Sequence, residues 1–389
     1  MIRSFFRLPA AIGLLAAVLG FGWQALTVHA NYGGNWTGLF CIGSEMIPPP
    51  PSAAQGLYVF QGTPGYDGQF YRIIARDPFL RTDAPEHIDS PSLRYRRILM
   101  PVAAWLLSGG QSGLADGAYL AVNLLFVALG AWWLSQCAVL AERHAAWGLA
   151  FLAVPAVIAA LDRVVLDGAL AALIIGFVLY LKTEERWKLY GVLVAAALLR
   201  ETGVVLAAGL CLSLLFRRRF REVLLFASAV LPTFAWYVYV HFHTHTNYVD
   251  AVALEFSNSV FERWLVPLTY ARGGPVAGIV IATDYISLAG GVAALLLAAW
   301  VVLRKKAGAI EIAGVLYALV LFWVIIRLGR YEPYAFPRLA SPILILLAMR
   351  SFSGMSLAWA VPLAMVSLRA VVQVGPQILG IVRSVVPGM

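Results

Sequence analysis

The chain alternates between long runs that are apolar on every face and short charged or Pro/Gly-rich breaks. A spanning helix needs roughly 20 apolar residues, and runs of that order or somewhat shorter occur at about Leu8 to Val28, Gly117 to Leu140, Trp147 to Leu161, Val164 to Leu181, Leu189 to Phe216, Val223 to His241, Tyr285 to Leu303, Ile312 to Ile326, Leu339 to Met349 and Leu357 to Val374. Transmembrane strands would show segments of alternating polarity, whereas a run such as GAYLAVNLLFVALGAWWLSQCAVL has none. The pattern predicts an all-α polytopic membrane protein of about 10–11 transmembrane or half-length helices.

Residues 1–28 form the first span, behind Arg3 and Arg7; Val28-His29-Ala30 also fits a cleavable signal. Residues 29–116 read as a large external loop in which Ile98 to Leu107 is too short to span and is expected to lie in the interface. Residues 117–389 read as the multi-span domain, with a second external loop at about 242–284. The run Leu189 to Phe216 carries Arg200-Glu201 at its centre, so it is either one tilted helix or two half-length segments with a polar break.

Charge chooses between these. With a break at Arg200-Glu201, the clusters Arg3/Arg7, Arg143, Lys182/Arg186/Lys188, Arg217 to Arg221, Arg304 to Lys306 and Arg350 all fall on one side, together with every lysine of the chain. A single tilted span would put the Arg217 cluster on the other side, against the positive-inside rule. The break also puts most acids on the outer side, among them Asp67, Asp77, Asp162, Asp167, Glu201 and Asp284. That second asymmetry lies outside the rule and points to an outward polar cavity, because ionisable groups at membrane depth are tolerated where they pair or line water.

Composition agrees: 61% hydrophobic, 13% charged and a mean hydropathy of +0.80 exclude a soluble globule of this size. The net charge of +9 sits in topology clusters and implies no nucleic acid. Cys41, Cys137 and Cys211 lie far apart, with neither disulfide nor metal spacing, and read as packing residues.

Four places carry candidate chemistry. Asp67 lies in Tyr66-Asp67-Gly68-Gln69-Phe70-Tyr71, where a carboxylate among aromatics can take a proton from a hydroxyl or simply cap a turn. Asp77-Pro78 reads as a turn. Arg94-Tyr95-Arg96-Arg97 precedes an apolar helix and suits a lipid phosphate, or pairing with the loop's own acids. Asp162 sits in a short loop and is the better second acid, while Asp167 is expected to be neutralised by Arg163. Arg200-Glu201 is either a self-neutralised pair or part of a site, and the stretch from Arg327 to Arg338 packs Arg330 and Arg338 among aromatics. His241, His243 and His245 read as interfacial.

In this order, GYDGQFYRIIARDP, RYRRILMP, LDRVVLDG and LLRETG resemble the C-type glycosyltransferase superfamily (GT-C), over most of the first 220 residues. The resemblance implies a GT-C-like fold and transfer of a sugar from a polyprenyl-phosphate donor to a glycan, lipid or protein acceptor on the outer face of the inner membrane. It implies Asp67 as general base or acceptor-orienting group and Asp162 as second acid. It further implies that some of Arg96, Arg97, Arg200, Arg330 and Arg338 hold the donor phosphate, with Tyr66, Gln69, Tyr71 and Glu201 completing the substrate-binding set. The first loop lacks the paired acids found in many members, so a metal is not indicated and no cofactor is expected. The competing reading is a transporter or flippase of a lipid-linked or anionic substrate. A non-catalytic assembly protein would leave the Asp, Arg and Tyr of the first loop unexplained.

Overall fold

A computed structural model describes residues 2–244, 274–303, 308–327, 335–353 and 356–386. The predicted Arg330, Glu332, His245 and the basic cluster Arg304 to Lys306, with most of the 242–284 loop, lie outside the described residues.

The architecture is helical, as expected of a multi-pass membrane protein. Five helices are long and apolar enough to cross a bilayer, and two bent pairs bring this to seven. Shorter helices complete the bundle. In chain order, α1 (Ile2–Asn31) leads into the first loop. The loop holds α2 (Gly68–Ile74), α3 (Pro91–Arg94) and α4 (Leu99–Leu107). Then come α5 (Ala115–Leu140), α6 (Pro155–Arg163), α7 (Asp167–Lys182), α8 (Arg186–Leu199), α9 (Val204–Phe216), α10 (Phe220–Ala227) and α11 (Leu231–His243). Helices Pro275–Leu303, Ala309–Arg327, Ala335–Ala348, Val361–Gln373 and Gly375–Val385 follow. Large apolar side chains such as Leu14, Leu125, Phe234, Leu296 and Leu319 face outward along their lengths, as they do where the surrounding solvent is lipid.

At the centre stands α7, buried from Asp167 to Tyr180 and packed against α5, α6, α8 and Ala335–Ala348. With 16 residues it is about 24 Å long. Asp167 marks one end and Lys182 the other. The chain then returns through α8 and reverses again at Arg200-Glu201-Thr202-Gly203 into α9. The expected break is therefore present, and its cause is local: Arg200 is extended, at φ −161° and ψ 149°, which ends α8. The reversal is tight enough that a Cβ on Gly203 would overlap the Ala196 carbonyl. Consequently the ends of α7, α8 and α9 that carry Glu184, Arg186, Arg217 and Arg219 line one cleft of about 320 Å³ with Glu311. We call this the basic end, and the end bearing the first loop the cap end. Gly203→Val is expected to destabilise the protein by about 1–3 kcal/mol, seen as a lower apparent Tm in detergent.

The structure revises several expected bounds. The run at Trp147 to Leu161 is a 3-10 helix, Ala145–Ala153, joined at 63° to α6, because Pro155 has no N–H and holds Val154 extended. The helix expected from Tyr285 starts at Pro275, so Asp284 is buried inside it rather than in a loop; Arg369 donates to its Oδ1 at 2.5 Å and makes the burial tolerable. The helix expected from Leu339 starts at Ala335, which puts Arg338 on the helix, with Pro337 in a first turn where a missing N–H costs little. A final helix, Gly375–Val385, was not expected and packs on α1.

The first loop folds as a cap. Two short strands, Ile42–Gly43 and Val59–Phe60, pair in parallel, and Phe40, Phe70, Tyr71, Ile74, Ile88 and Tyr95 bury together. Both Arg72 and Arg76 clamp Asp116 in the first turn of α5, at 2.9 and 2.7 Å. Asp77 is a turn residue as expected, accepting bonds from the Arg81 and Thr82 N–H groups. α4 leaves Leu106 and Leu107 exposed at its end.

Candidate active site

The cap seats α2 against the turn between α6 and α7. A Cβ on Gly68 would come 2.5 Å from the Arg163 carbonyl oxygen, so only glycine allows this approach. Asp67 precedes Gly68 at the N-cap position, yet its side chain makes no capping bond. Both its oxygens turn to arginines instead. Arg94 Nη1 lies 2.9 Å from Oδ1, and Arg338 Nη1 donates to Oδ2 at 2.8 Å. The turn-capping alternative for Asp67 is thereby set aside.

From this carboxylate the ion pairs branch. Arg94, at the end of α3, donates Nε and Nη2 to the two oxygens of Asp89 at 2.9 and 2.8 Å and lies 4.8 Å over the Phe70 ring. Arg338 also donates Nη1 to Asp167 Oδ2 at 3.3 Å and lies 4.9 Å over the Tyr66 ring. Arg200 donates to the other oxygen of Asp167. Arg97 donates Nε to the Glu201 carboxylate at 3.1 Å and Nη1 to the Tyr71 hydroxyl at 2.9 Å. Arg94, Arg97, Arg200 and Arg338 thus meet Asp67, Asp89, Asp167 and Glu201, and every cation of this group has an anion. Arg200 and Glu201 do not neutralise one another; each reaches a different helix or loop.

Exposure is uneven across the group. The Asp67 and Glu201 carboxylates keep 18% and 29% of their side-chain surface, against 5% for Asp167, so the first two form the accessible edge. Burial by itself pushes the Asp67 carboxyl up, but the guanidinium groups of Arg338 and Arg94 outweigh it and hold it well below the usual carboxylate range. Asp67 is thus ionised at neutral pH and only weakly basic while both arginines hold it. A depressed folded value stabilises the folded state above the free-carboxyl pKa of about 3.9, and that stabilisation is lost as the pH falls further toward the folded value. Lowering the pH from about 5 to about 3 is expected to narrow the Tm gap between the native chain and Asp67→Asn.

The remaining expected residues lie elsewhere. Asp162, expected in a short loop, instead lies in the last turn of α6 and is fully buried, paired with Arg163 at 3.2 Å and receiving Gln377 Nε2 at 3.4 Å. This reverses the expected neutralisation: Arg163 takes Asp162, and Asp167 joins the Asp67 network. Gln69 bonds the cap's own backbone, accepting from Gly43 N and donating to the Pro64 carbonyl. Arg96 lies 5.1 Å over Tyr237 of α11. Tyr71 is buried, and its part is to support Arg97. His243 stacks on Tyr239 at 4.0 Å. The sequence offered Arg94 either a lipid phosphate or the loop's own acids, and the structure pairs it with two of those acids, Asp67 and Asp89; Asp89 and Asp167 were not expected at the site. For Asp167 there was a signal, a carboxylate at the first turn of a wholly apolar helix, which demands a partner. Among the described residues no three His, Cys, Asp or Glu side chains gather as a metal site. Compared with known proteins, the chain matches no family model, no curated protein and no solved structure.

Proposed function

We propose that this protein is a glycosyltransferase that moves a sugar from a polyprenyl-phosphate carrier to an acceptor on the outer face of an inner membrane. The observation that carries this reading is Asp67, an ionised, partly exposed carboxylate held by Arg94 and Arg338 at the end opposite the basic clusters. The GT-C-like order of its sequence features and the positive-inside distribution of its lysines support the same reading.

In the reaction, the acceptor hydroxyl attacks the anomeric carbon and gives its proton to Asp67. The bond from that carbon to the carrier's phosphate oxygen breaks, the oxygen keeps the electron pair, and a single displacement inverts the anomeric configuration. Arginines suit the phosphate because their N–H groups bind its oxygens in pairs. A donor phosphate that draws Arg338 or Arg94 toward itself loosens their hold on Asp67, whose proton affinity then rises when the hydroxyl must be deprotonated.

One observation favours a second reading. Two short helices, α8 and α9, meet at Arg200-Glu201, and transporters use such broken helices at their binding sites. Proteoliposomes supplied with a panel of radiolabelled polyprenyl-phosphate sugars separate the two. Label moving to a glycan, lipid or protein acceptor is the expected result; label crossing the bilayer still attached to its carrier, with no donor consumed, overturns the transferase reading.

A further inference from the structure

At the basic end, remote from Asp67, a cavity of about 220 Å³ opens between α5, the 3-10 helix Ala145–Ala153, α7 and the helices that follow Ala335. It is larger than the ~150 Å³ apolar cavity that holds a benzene molecule. Two interruptions of regular helix produce it. The bend at Val154-Pro155 turns one wall away, and the 3-10 segment Met349–Ser353 ends the opposite wall early. Its deep walls are Val154, Ile175, Ile345 and Met349, all buried, while Trp147 and Leu357 stand exposed at the mouth.

All the lining residues are apolar except two. Arg143 is exposed at the rim, and its guanidinium forms no ion pair or hydrogen bond among the described residues. The neighbouring Arg350 differs, since it pairs with Glu311 at 2.5 Å and lies 4.7 Å over the Trp359 ring. The second exception is Ser351, whose Oγ is buried with no hydrogen-bond partner among the described residues. An aliphatic chain matches the walls, an anion matches Arg143, and an ester or phosphate oxygen can accept from Ser351.

We infer that this cavity binds one anionic phospholipid of the bilayer, with an acyl chain inside and its phosphate on Arg143. The chain crosses a bilayer, so acyl chains are the apolar groups that reach the mouth, and the basic clusters at this end concentrate anionic headgroups around it. The site is independent of the transferase reading, because it shares no residue with the Asp67 network.

Native mass spectrometry of the full chain in detergent tests it, with phosphatidylglycerol and phosphatidylcholine of identical chains. One arginine beside a headgroup corresponds to about a 5-fold preference for the anionic lipid. The expected result is such a preference in the native protein, its loss in Arg143→Gln, and its retention in Arg217→Gln, which alters a different basic cluster. Ala348→Phe, which fills the cavity, is expected to weaken both lipids. If that variant does not fold, the Arg143 and Arg217 comparison decides alone. Equal binding of the two lipids by the native chain, an unchanged preference in Arg143→Gln, or displacement of the lipid by millimolar inorganic phosphate alone each overturns the proposal.

Discussion

Asp67→Asn is expected to lower sugar transfer by at least about 100-fold, the lower bound for removing a positioned general base, with little loss of folded protein. The second half of this expectation follows from redundancy in the ion pairs. Without the Asp67 charge, Arg94 still holds both oxygens of Asp89, and Arg338 still reaches Asp167. No arginine of the group is left alone. The amide keeps the size of the carboxyl, so the approach of Gly68 to the Arg163 carbonyl is undisturbed. Initial rates with saturating donor, compared at matched amounts of monodisperse protein, make the measurement. A variant that folds like the native chain and transfers at the native rate removes Asp67 from the chemistry.

Asp167→Asn is expected to act in the opposite way, on the fold first. Asp167 is nearly inaccessible and joins two arginines from different parts of the chain. Arg338 retains Asp67, but Arg200 loses its only ion pair among the described residues. A buried charge left without its partner costs about 3–5 kcal/mol, enough to lower the apparent Tm markedly and to reduce the yield of monodisperse protein. The double variant Asp167→Asn/Arg200→Gln takes away the orphaned charge as well, and it is expected to recover most of the lost stability. The non-additivity measures the coupling between the two residues. If the double variant is as unstable as the sum of the two single variants, the pair is not the unit that joins α7 to the α8–α9 turn.

Much of the helix plan was readable from periodicity and charge. The break at Arg200-Glu201 was legible because two charges in the middle of an apolar run cannot face lipid, and the extended Arg200 realises it. The shortness of α4, nine residues, was legible from the length of its apolar run. The helix starts at Pro275 and Ala335 were not. In both cases a charged residue looked like the mark of a loop, whereas Asp284 and Arg338 are held inside helices by partners on other segments, Arg369 and Asp67. Local composition contains no trace of such a partner.

The acids show the same limit at finer scale. Asp162 and Asp167 are five residues apart across one turn, and the left-handed Val164 between them, at φ 50°, sets which way the chain leaves that turn. One carboxylate was thereby directed to Gln377 and Arg163, and the other to Arg200 and Arg338. By itself the sequence determined that the chain belongs in a membrane, where most of its helices run, that the chain reverses at Arg200-Glu201, and that most of the acids fall on the side away from the lysines, because hydrophobic run length and charge placement are local properties of the chain. Only the tertiary structure decided which acid meets which arginine. That choice rests on the rotation of each helix and on neighbours as distant as Asp67 and Arg338, 271 residues apart, and the periodicity of one helix carries no information about the face another presents to it.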